Sequence, residues 1–444
     1  MYRKIAKLLL IARDELGGWN VYAHMKYLQN TQWMKRSELK RLQFKKMKAL
    51  LRHAYENVPF YHSSFKSVNF HPNYFTCLED VSKIPVLTKP AIRDNLENMV
   101  ASNATKMQLL RWRTSGTTAA PTNFYRSKAD VSWSIAAELR GYNWAGYEVG
   151  DKVAMIGYFP PELFDSFAFK LTNFLNRNKI LLVNKLSEKT MDSFAKKMAR
   201  FQPLYIRGNC GQVNIFAIFI LNNCSFRLRP KAVFTTGETL YSHYRKTIEE
   251  AFDCKVYDYY GSNEVSQAAM QCGQDGSLHI LEENVLVEVV KNGEQASAGE
   301  QGQVLLTNLN SYAMPYIRYD VGDVGRIFNY VCSCGRELSL FRPLGRKLEY
   351  FVNHDGSFTF FRDFQLLLED IPIQDFQVVQ ESYDDIVMNI VPKSGFEEKH
   401  ADFIVKNAKS LGPANVRIEL VNSLPLTRTG KIRHKVSKIA TKYT

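Results

Sequence analysis

The chain is predicted to fold as a layered α/β body followed by a small α+β unit. Three observations lead there. Its 444 residues are 45% hydrophobic, 23% charged and 13% aromatic, the mixture of a folded chain with a large core and neither a disordered nor a fibrous one. From Lys106 to Leu309, apolar runs such as VAMIGYF and KAVFTT alternate with helix-like stretches such as MDSFAKKMARF and HYRKTIEEAF, the pattern of buried strands covered by helices. After Gly345 the style changes: FQVVQE and DDIVMNIVP read as half-buried strands, FEEKHADFIVKNAKSLG as an amphipathic helix ending at Gly412, and VRIELV as a further strand.

Taken in order, residues 1 to about 66 read as helices. Ile5, Leu8, Leu9 and Ala12 can share one helical face edged by Arg3, Lys4 and Lys7; this fits an interfacial helix or, on the plainer reading, a helix packed on its own domain. Leu42, Met47, Leu50, Leu51 and Tyr55 recur at helical spacing among Lys45, Lys46, Lys48 and Arg52, whose basic face should be solvated. The large body is assigned to 1–345 and the small unit to 346–444, with a hinge between Gly345 and Glu349. The apolar run Ile215 to Leu221 falls well short of the ~20 residues that span a bilayer. The opening MYRKIAKLLLIARDELGG lacks a small-residue cleavage site, so a cytoplasmic chain is expected.

Charge is unevenly placed. The formal net charge is +14, and residues 1–52 alone hold 13 basic and 3 acidic side chains. A basic front end on a near-neutral body points to a local anionic partner: a membrane surface at the inner face, a nucleic acid or phosphorylated small molecules. Nucleic acid is disfavoured, because neither zinc-finger spacing nor an RNP-like aromatic motif occurs.

Several segments carry chemistry. Thr114-Ser115-Gly116-Thr117-Thr118 forms a hydroxyl-rich loop able to wrap phosphate oxygens, although such a turn can also be purely structural. It is not a Walker loop. Asp258-Tyr259-Tyr260-Gly261-Ser262-Asn263-Glu264 puts an aromatic, a glycine and a carboxylate at a strand end, suited to base stacking and a magnesium ion, or else a tight turn. In Tyr319-Asp320-Val321-Gly322-Asp323, Asp323 could accept both ribose hydroxyls or sit in a charged turn. Leu344-Gly345-Arg346-Lys347-Leu348-Glu349 and Leu424-Pro425-Leu426-Thr427-Arg428-Thr429-Gly430-Lys431 complete the set.

In this order the five segments resemble the adenylate-forming superfamily of acyl-CoA synthetases, and within it the phenylacetate-CoA ligase branch with its capsular-polysaccharide relatives. The resemblance begins with LLRHAYENVPFYH at Leu50 and runs over nearly the whole chain. It implies that Ser115, Gly116, Thr117 and Thr118 hold ATP phosphates, that Gly237 and Glu238 lie beside the adenine, and that Tyr260, next to Gly261, stacks on it. Glu264 would bind Mg2+, Asp323 the ribose, Arg346 the nucleotide near the hinge, and Lys431 would reach the α-phosphate region. The implied reaction joins a carboxylic acid to AMP and then passes the acyl group to coenzyme A. An amine acceptor, such as an amino sugar or amino acid, is the alternative. The chain departs from the pattern at Ala119 and Ala120 in the phosphate loop, at Asn263, and at Glu349 in place of the hinge aspartate, so an inactive nucleotide-binding protein is a further alternative.

Cys272, His279, Cys332 and Cys334 could form a Cys3His shell for zinc. C-x-C alone is a weak signal; the branch resemblance, whose members carry a comparable set, is what implies a structural Zn2+. Cys77, Cys210, Cys224 and Cys254 are expected to be buried apolar side chains.

Overall fold

A computed structural model describes residues 2–104, 109–113, 123–157, 164, 166–182, 187–346, 350–354, 358–427 and 430–439. Four helices open the chain: Tyr2–Gly17, Val21–Thr31, Arg36–Asn57 and Pro59–Ser67. They answer the helical periodicity of this segment, with Met47, Leu50 and Leu51 fully buried. Two details differ from expectation. On the first helix the packed face is Ala6, Leu10 and Asp14, while Ile5, Leu8 and Leu9 are exposed. Lys46 is not on a solvated face either, since its Nζ donates to the Glu283 carbonyl (2.7 Å) and to Asn310 Oδ1 (2.9 Å). Burial pushes its pKa down to about 8.

The body is organised around one sheet that contains twelve strands among the described residues. Five strands run parallel, in the spatial order Asn178–Leu182, Val153–Gly157, Tyr205–Asn209, Ala232–Thr236 and Lys255–Ser262. Helices Glu188–Phe201, Cys210–Asn223 and Ser242–Phe252 cover one face, closing over Ile156, Ile206, Val233 and Val256. Helix Lys128–Asn143 covers the other, closing over Tyr205, Phe234 and Met155. Helices on both faces explain why these strands read as short apolar runs rather than as alternating ones. From Tyr259 onward the sheet continues antiparallel through Ser266–Met270, Leu278–Ile280, Leu340–Arg346 and Tyr319–Phe328.

Residues beyond Tyr350 build a separate four-stranded sheet in the order Asn415–Leu420, Asp385–Pro392, Ile373–Gln380, Lys435–Ser437. Helix Glu398–Lys409 packs on it through Ile404 and Ala408. The two central strands are buried on both faces rather than half-buried, because this helix covers one face and the body lies against residues of the other. At that contact Tyr244 Oη donates to Asp375 Oδ2 (2.9 Å) and lies 3.0 Å from His434 Nε2. Lys393 Nζ donates to Thr247 Oγ1 (2.9 Å).

Candidate active site

The strand Lys255–Ser262 is where the sheet changes direction: it pairs parallel with Ala232–Thr236 as far as Asp258 and antiparallel with Ser266–Met270 from Tyr259. Ligands of open α/β sheets bind outside the carboxyl ends of the parallel strands, the ends that Gly237 and Gly261 mark on the last two of them. The aromatic motif lies at a strand end as expected, the strand closing at Ser262 after a bulge at Gly261. A Cβ on Gly261 would stand 2.2 Å from the Ser266 carbonyl, so the bulge requires glycine.

Several predicted residues meet there. Tyr260 Oη donates to Asp323 Oδ2 (2.7 Å), and Asp323 Oδ1 pairs with Arg346 Nε (3.1 Å). Asp323 and Arg346 face each other in register on neighbouring strands, so Asp323 belongs to a strand and not to a turn. Burial raises the Asp323 carboxyl above its ordinary pKa while Arg346 opposes the shift. Arg346 Nη1 also donates to the Val321 carbonyl (3.1 Å). Glu264 accepts a hydrogen bond from Tyr319 Oη (2.8 Å), which leaves other lone pairs of its carboxylate available to a cation.

Gly237 follows the strand Ala232–Thr236 with φ +79°, a left-handed conformation that favours glycine. Its carbonyl accepts a hydrogen bond from Lys431 Nζ (2.9 Å), so the lysine of the small C-terminal unit reaches the strand edge of the body. Lys431 is held by a tight loop in which its N–H donates to Thr427 Oγ1 (3.0 Å) and Gly430 adopts φ +76°. Glu238 turns back from the crevice. Its Oε2 accepts the Gly211 N–H (3.1 Å) at the first turn of helix Cys210–Asn223, where a carboxylate complements the helix dipole. Burial raises its pKa, and Lys431 opposes the rise.

Ser115, Gly116, Thr117 and Thr118, with Ala119 and Ala120, lie outside the described residues, as does Glu349. The strands that flank the hydroxyl-rich segment, Leu109–Arg113 and Asn123–Ser127, pair antiparallel with Arg113 opposite Asn123.

Cys272, His279, Cys332 and Cys334 come together: their ligand atoms all lie within 4.8 Å of one another. Cys272 and Cys332 sulfurs are 3.6 Å apart, and Cys334 Sγ lies 3.3 Å from His279 Nε2. A tetrahedron built on Zn–S bonds of about 2.3 Å has edges of about 3.8 Å, so the donor set fits. His279 Nδ1 lies 3.3 Å from the Leu338 carbonyl, a partner that would fix Nδ1 as the protonated nitrogen and leave Nε2 for metal. Burial holds the imidazole pKa down at about 4. Among the other cysteines, Cys210 is buried as expected, whereas Cys77 is exposed at the start of a short 3-10 turn.

The segment Tyr205 to Cys210 is a candidate wall of the acyl pocket by its mix of aromatic, small and polar residues, but the sequence did not single out Arg207 or its partner Glu138, which pair at 3.0 Å. The available signal was a charged residue inside YIRGN, a strand otherwise built for burial on both faces. Asn209 of the same segment has its Oδ1 2.9 Å from where a Cβ on Gly237 would stand.

With this geometry in view, the comparisons are consistent. The model of the CapK C-terminal domain matches residues 356–438. Protein CapK of Staphylococcus aureus is 24% identical over 91% of this chain and 90% of its own length. The phenylacetate-coenzyme A ligase of Escherichia coli K12 is 30% identical over 65% of this chain and 67% of its own. The chain belongs to the phenylacetate-CoA ligase branch of the adenylate-forming family. Crystal structures of 2-hydroxyisobutyryl-CoA ligase share the fold at 20% identity: the postadenylation state with 2-HIB-AMP gives a TM-score of 0.78 over 91% of this chain and 90% of that one. The thioesterification state of the same enzyme gives 0.63, over 92% of each chain.

Proposed function

We propose that this protein activates a carboxylic acid with ATP and transfers the acyl group to coenzyme A. A carboxylate oxygen attacks the α-phosphorus, the bond to the pyrophosphate bridging oxygen breaks, and an acyl-adenylate forms. The thiol sulfur then attacks the acyl carbon and AMP leaves. The observation that carries this reading is the reach of Lys431 to Gly237, beside the edge where Tyr260, Asp323, Arg346 and Glu264 gather. Two anions must approach in the first step, and a fixed ammonium at that edge offsets the charge that spreads over nonbridging oxygens. Asp323 would take the ribose hydroxyls and Tyr260 the base, with Gly237 at its edge; Glu238, held by the Gly211 N–H, turns away from it. Ser115, Gly116, Thr117 and Thr118 would close on the phosphates. Glu264 would hold a magnesium ion, which supplies charge neutralisation when bound. The greater overlap with the postadenylation form of the hydroxyisobutyryl enzyme supports a lysine-inward arrangement. We read 1–345 as the adenylating unit and 346–444 as the lysine-carrying unit that swivels near Gly345 and Glu349.

Cys272, His279, Cys332 and Cys334 would hold a structural zinc, since four protein ligands leave no open position. A second reading keeps an amine acceptor, such as an amino sugar or amino acid, motivated by the resemblance to capsular-polysaccharide relatives.

The test is acid-dependent ATP–pyrophosphate exchange across a panel of acids. Lys431→Ala should lower exchange on the order of 10²- to 10³-fold with nucleotide binding retained. No exchange with any acid, while ATP still binds, would instead favour an inactive nucleotide-binding protein. Product analysis with and without coenzyme A, and with amine acceptors, separates the two acceptor readings.

A further inference from the structure

Arg207 is the third residue of the strand Tyr205–Asn209 and lies on the same face as Asn209, about 6.6 Å further from the strand edge. That face is the one covered by helix Lys128–Asn143. Arg207 Nη2 is 3.0 Å from Glu138 Oε1. Tyr142 Oη donates to the same oxygen (2.5 Å), and Tyr259 Oη approaches it at 3.5 Å. The guanidinium also lies over the Tyr142 ring, 5.5 Å from its centre. The charged pair is unequal in access: the Arg207 side chain is 32% exposed and that of Glu138 14%.

A half-buried charge pair of this kind contributes little to the stability of a fold. Placed just beneath the edge where Lys431 meets Gly237, it has a use in reading the acid. We propose that Arg207, positioned by Glu138, Tyr142 and Tyr259, selects an acid bearing a hydrogen-bond acceptor, a hydroxyl or a second carboxylate, further along its acyl chain. An unsubstituted hydrocarbon tail would desolvate the partly exposed guanidinium and offer no acceptor to the donors that Glu138 does not take. The proposal rests on the adenylation reading above.

Matched acids decide it: butanoate against 3-hydroxybutanoate and succinate, and phenylacetate against 4-hydroxyphenylacetate. They are measured by exchange and, separately, by calorimetric binding in the presence of a nonhydrolysable ATP analogue. The oxygenated member should win by about 10- to 100-fold in kcat/KM. The paired variant Arg207→Met with Glu138→Gln, which strands no buried charge, should abolish or invert that preference while leaving the melting temperature near that of the parent. Equal use of both members by the parent, or a preference that the paired variant keeps, overturns the proposal. If exchange is absent with every acid, the adenylation reading falls, and the binding measurement alone still decides the selectivity of the pocket.

A second inference rests on a different face. Ile5, Leu8, Leu9 and Leu16 of helix Tyr2–Gly17 form an exposed apolar stripe, and Leu171 and Phe174 of helix Phe167–Leu175 are exposed as well. The two helices are joined by the bond from Tyr2 Oη to the Leu175 carbonyl (2.7 Å). Lys4 and Lys7 flank the stripe. Arg177, stacked on Tyr2 at 4.6 Å, opens onto a cavity of about 600 Å³ lined, among the described residues, by Lys152, Arg177, Arg227 and Arg229 and by no carboxylate. Lys152 Nζ there donates to the Phe201 carbonyl (2.8 Å), and Arg229 pairs loosely with Asp253 (3.8 Å). The geometry points to an anionic lipid surface, with the stripe entering the acyl boundary and the cations meeting headgroup phosphates.

The full chain should co-sediment with vesicles of phosphatidylcholine containing phosphatidylglycerol, and not with phosphatidylcholine alone. Leu8→Gln with Leu9→Gln should weaken binding at least about tenfold without changing ATP binding. No binding to anionic vesicles at low salt, or binding indifferent to this pair, overturns the inference. So does a concentration-dependent dimer that the same variants dissolve, because a second copy would then cover the stripe.

Discussion

Glu282 is buried, with Oε1 and Oε2 accepting from Ser339 Oγ (2.9 Å) and the Ser339 N–H (3.1 Å). Burial lifts its pKa to about 7, and the neighbouring Glu283 adds to the rise. The folded chain therefore binds this proton more tightly than the unfolded chain, whose glutamate titrates near 4.5. Stability from this group is fully present below pH 4.5 and is lost as pH rises through about 7. Glu282→Gln should gain on the parent over that window, by at most about 3 kcal/mol; melting curves at pH 5 and pH 8 check it, and a pH-independent difference would show that the carboxyl is not the source. Glu283 is the contrasting case. It pairs with Arg140 at 3.0 Å with both side chains fully buried, and Thr31 donates to it. Arg140→Met leaves that carboxylate unpaired and should cost about 3–5 kcal/mol, read as a fall in the denaturation midpoint.

At the scale of elements, three separate segments supply the Cys3His cluster: the end of Ser266–Met270, the strand Leu278–Ile280 and the turn before Leu340–Arg346. A metal there would tie these strands together, so Cys332→Ser or chelation should lower the melting temperature on the order of 10 °C. Elemental analysis should find one zinc per chain, and its absence would remove the site. How much of this was legible follows from the range over which each element is determined. Strand Ala232–Thr236 and helix Glu188–Phe201 show in their own periodicity, whereas the Cys3His set shows only through the branch resemblance, since C-x-C alone is a weak signal. The outward stripe of Tyr2–Gly17 was readable as a face but not as an exposed one, because only the packing of Ala6 and Leu10 decides which side turns inward. Glu238 capping Gly211, Lys46 reaching Glu283 and Arg207 meeting Glu138 are contacts across 27, 237 and 69 residues. Nothing local encodes them.

For the whole molecule, the contact between the body and the small unit decides which half-reaction the arrangement serves. Tyr244 Oη, Asp375 and His434 form one buried polar cluster: Tyr244 to Asp375 at 2.9 Å, Tyr244 to His434 at 3.0 Å, and His434 Nε2 to Asp375 Oδ1 at 3.0 Å. Asp375 and His434 belong to the unit that carries Lys431, so this cluster and the Lys431–Gly237 bond stabilise the same orientation. If acyl transfer needs the small unit to rotate, these bonds must break, and Gly345, at φ +103° in the strand before the boundary, lies where backbone freedom would be used. Tyr244→Phe removes one hydroxyl and keeps the ring that packs under the unit, so it should weaken the lysine-inward state without unfolding either part. Loss of a buried hydrogen bond of this kind shifts such a balance by about 1–3 kcal/mol. ATP–pyrophosphate exchange should therefore fall by about 5- to 100-fold, while single-turnover transfer from preformed acyl-adenylate should be unchanged or faster. A parallel fall in both steps would show that the cluster supports the fold rather than setting the orientation.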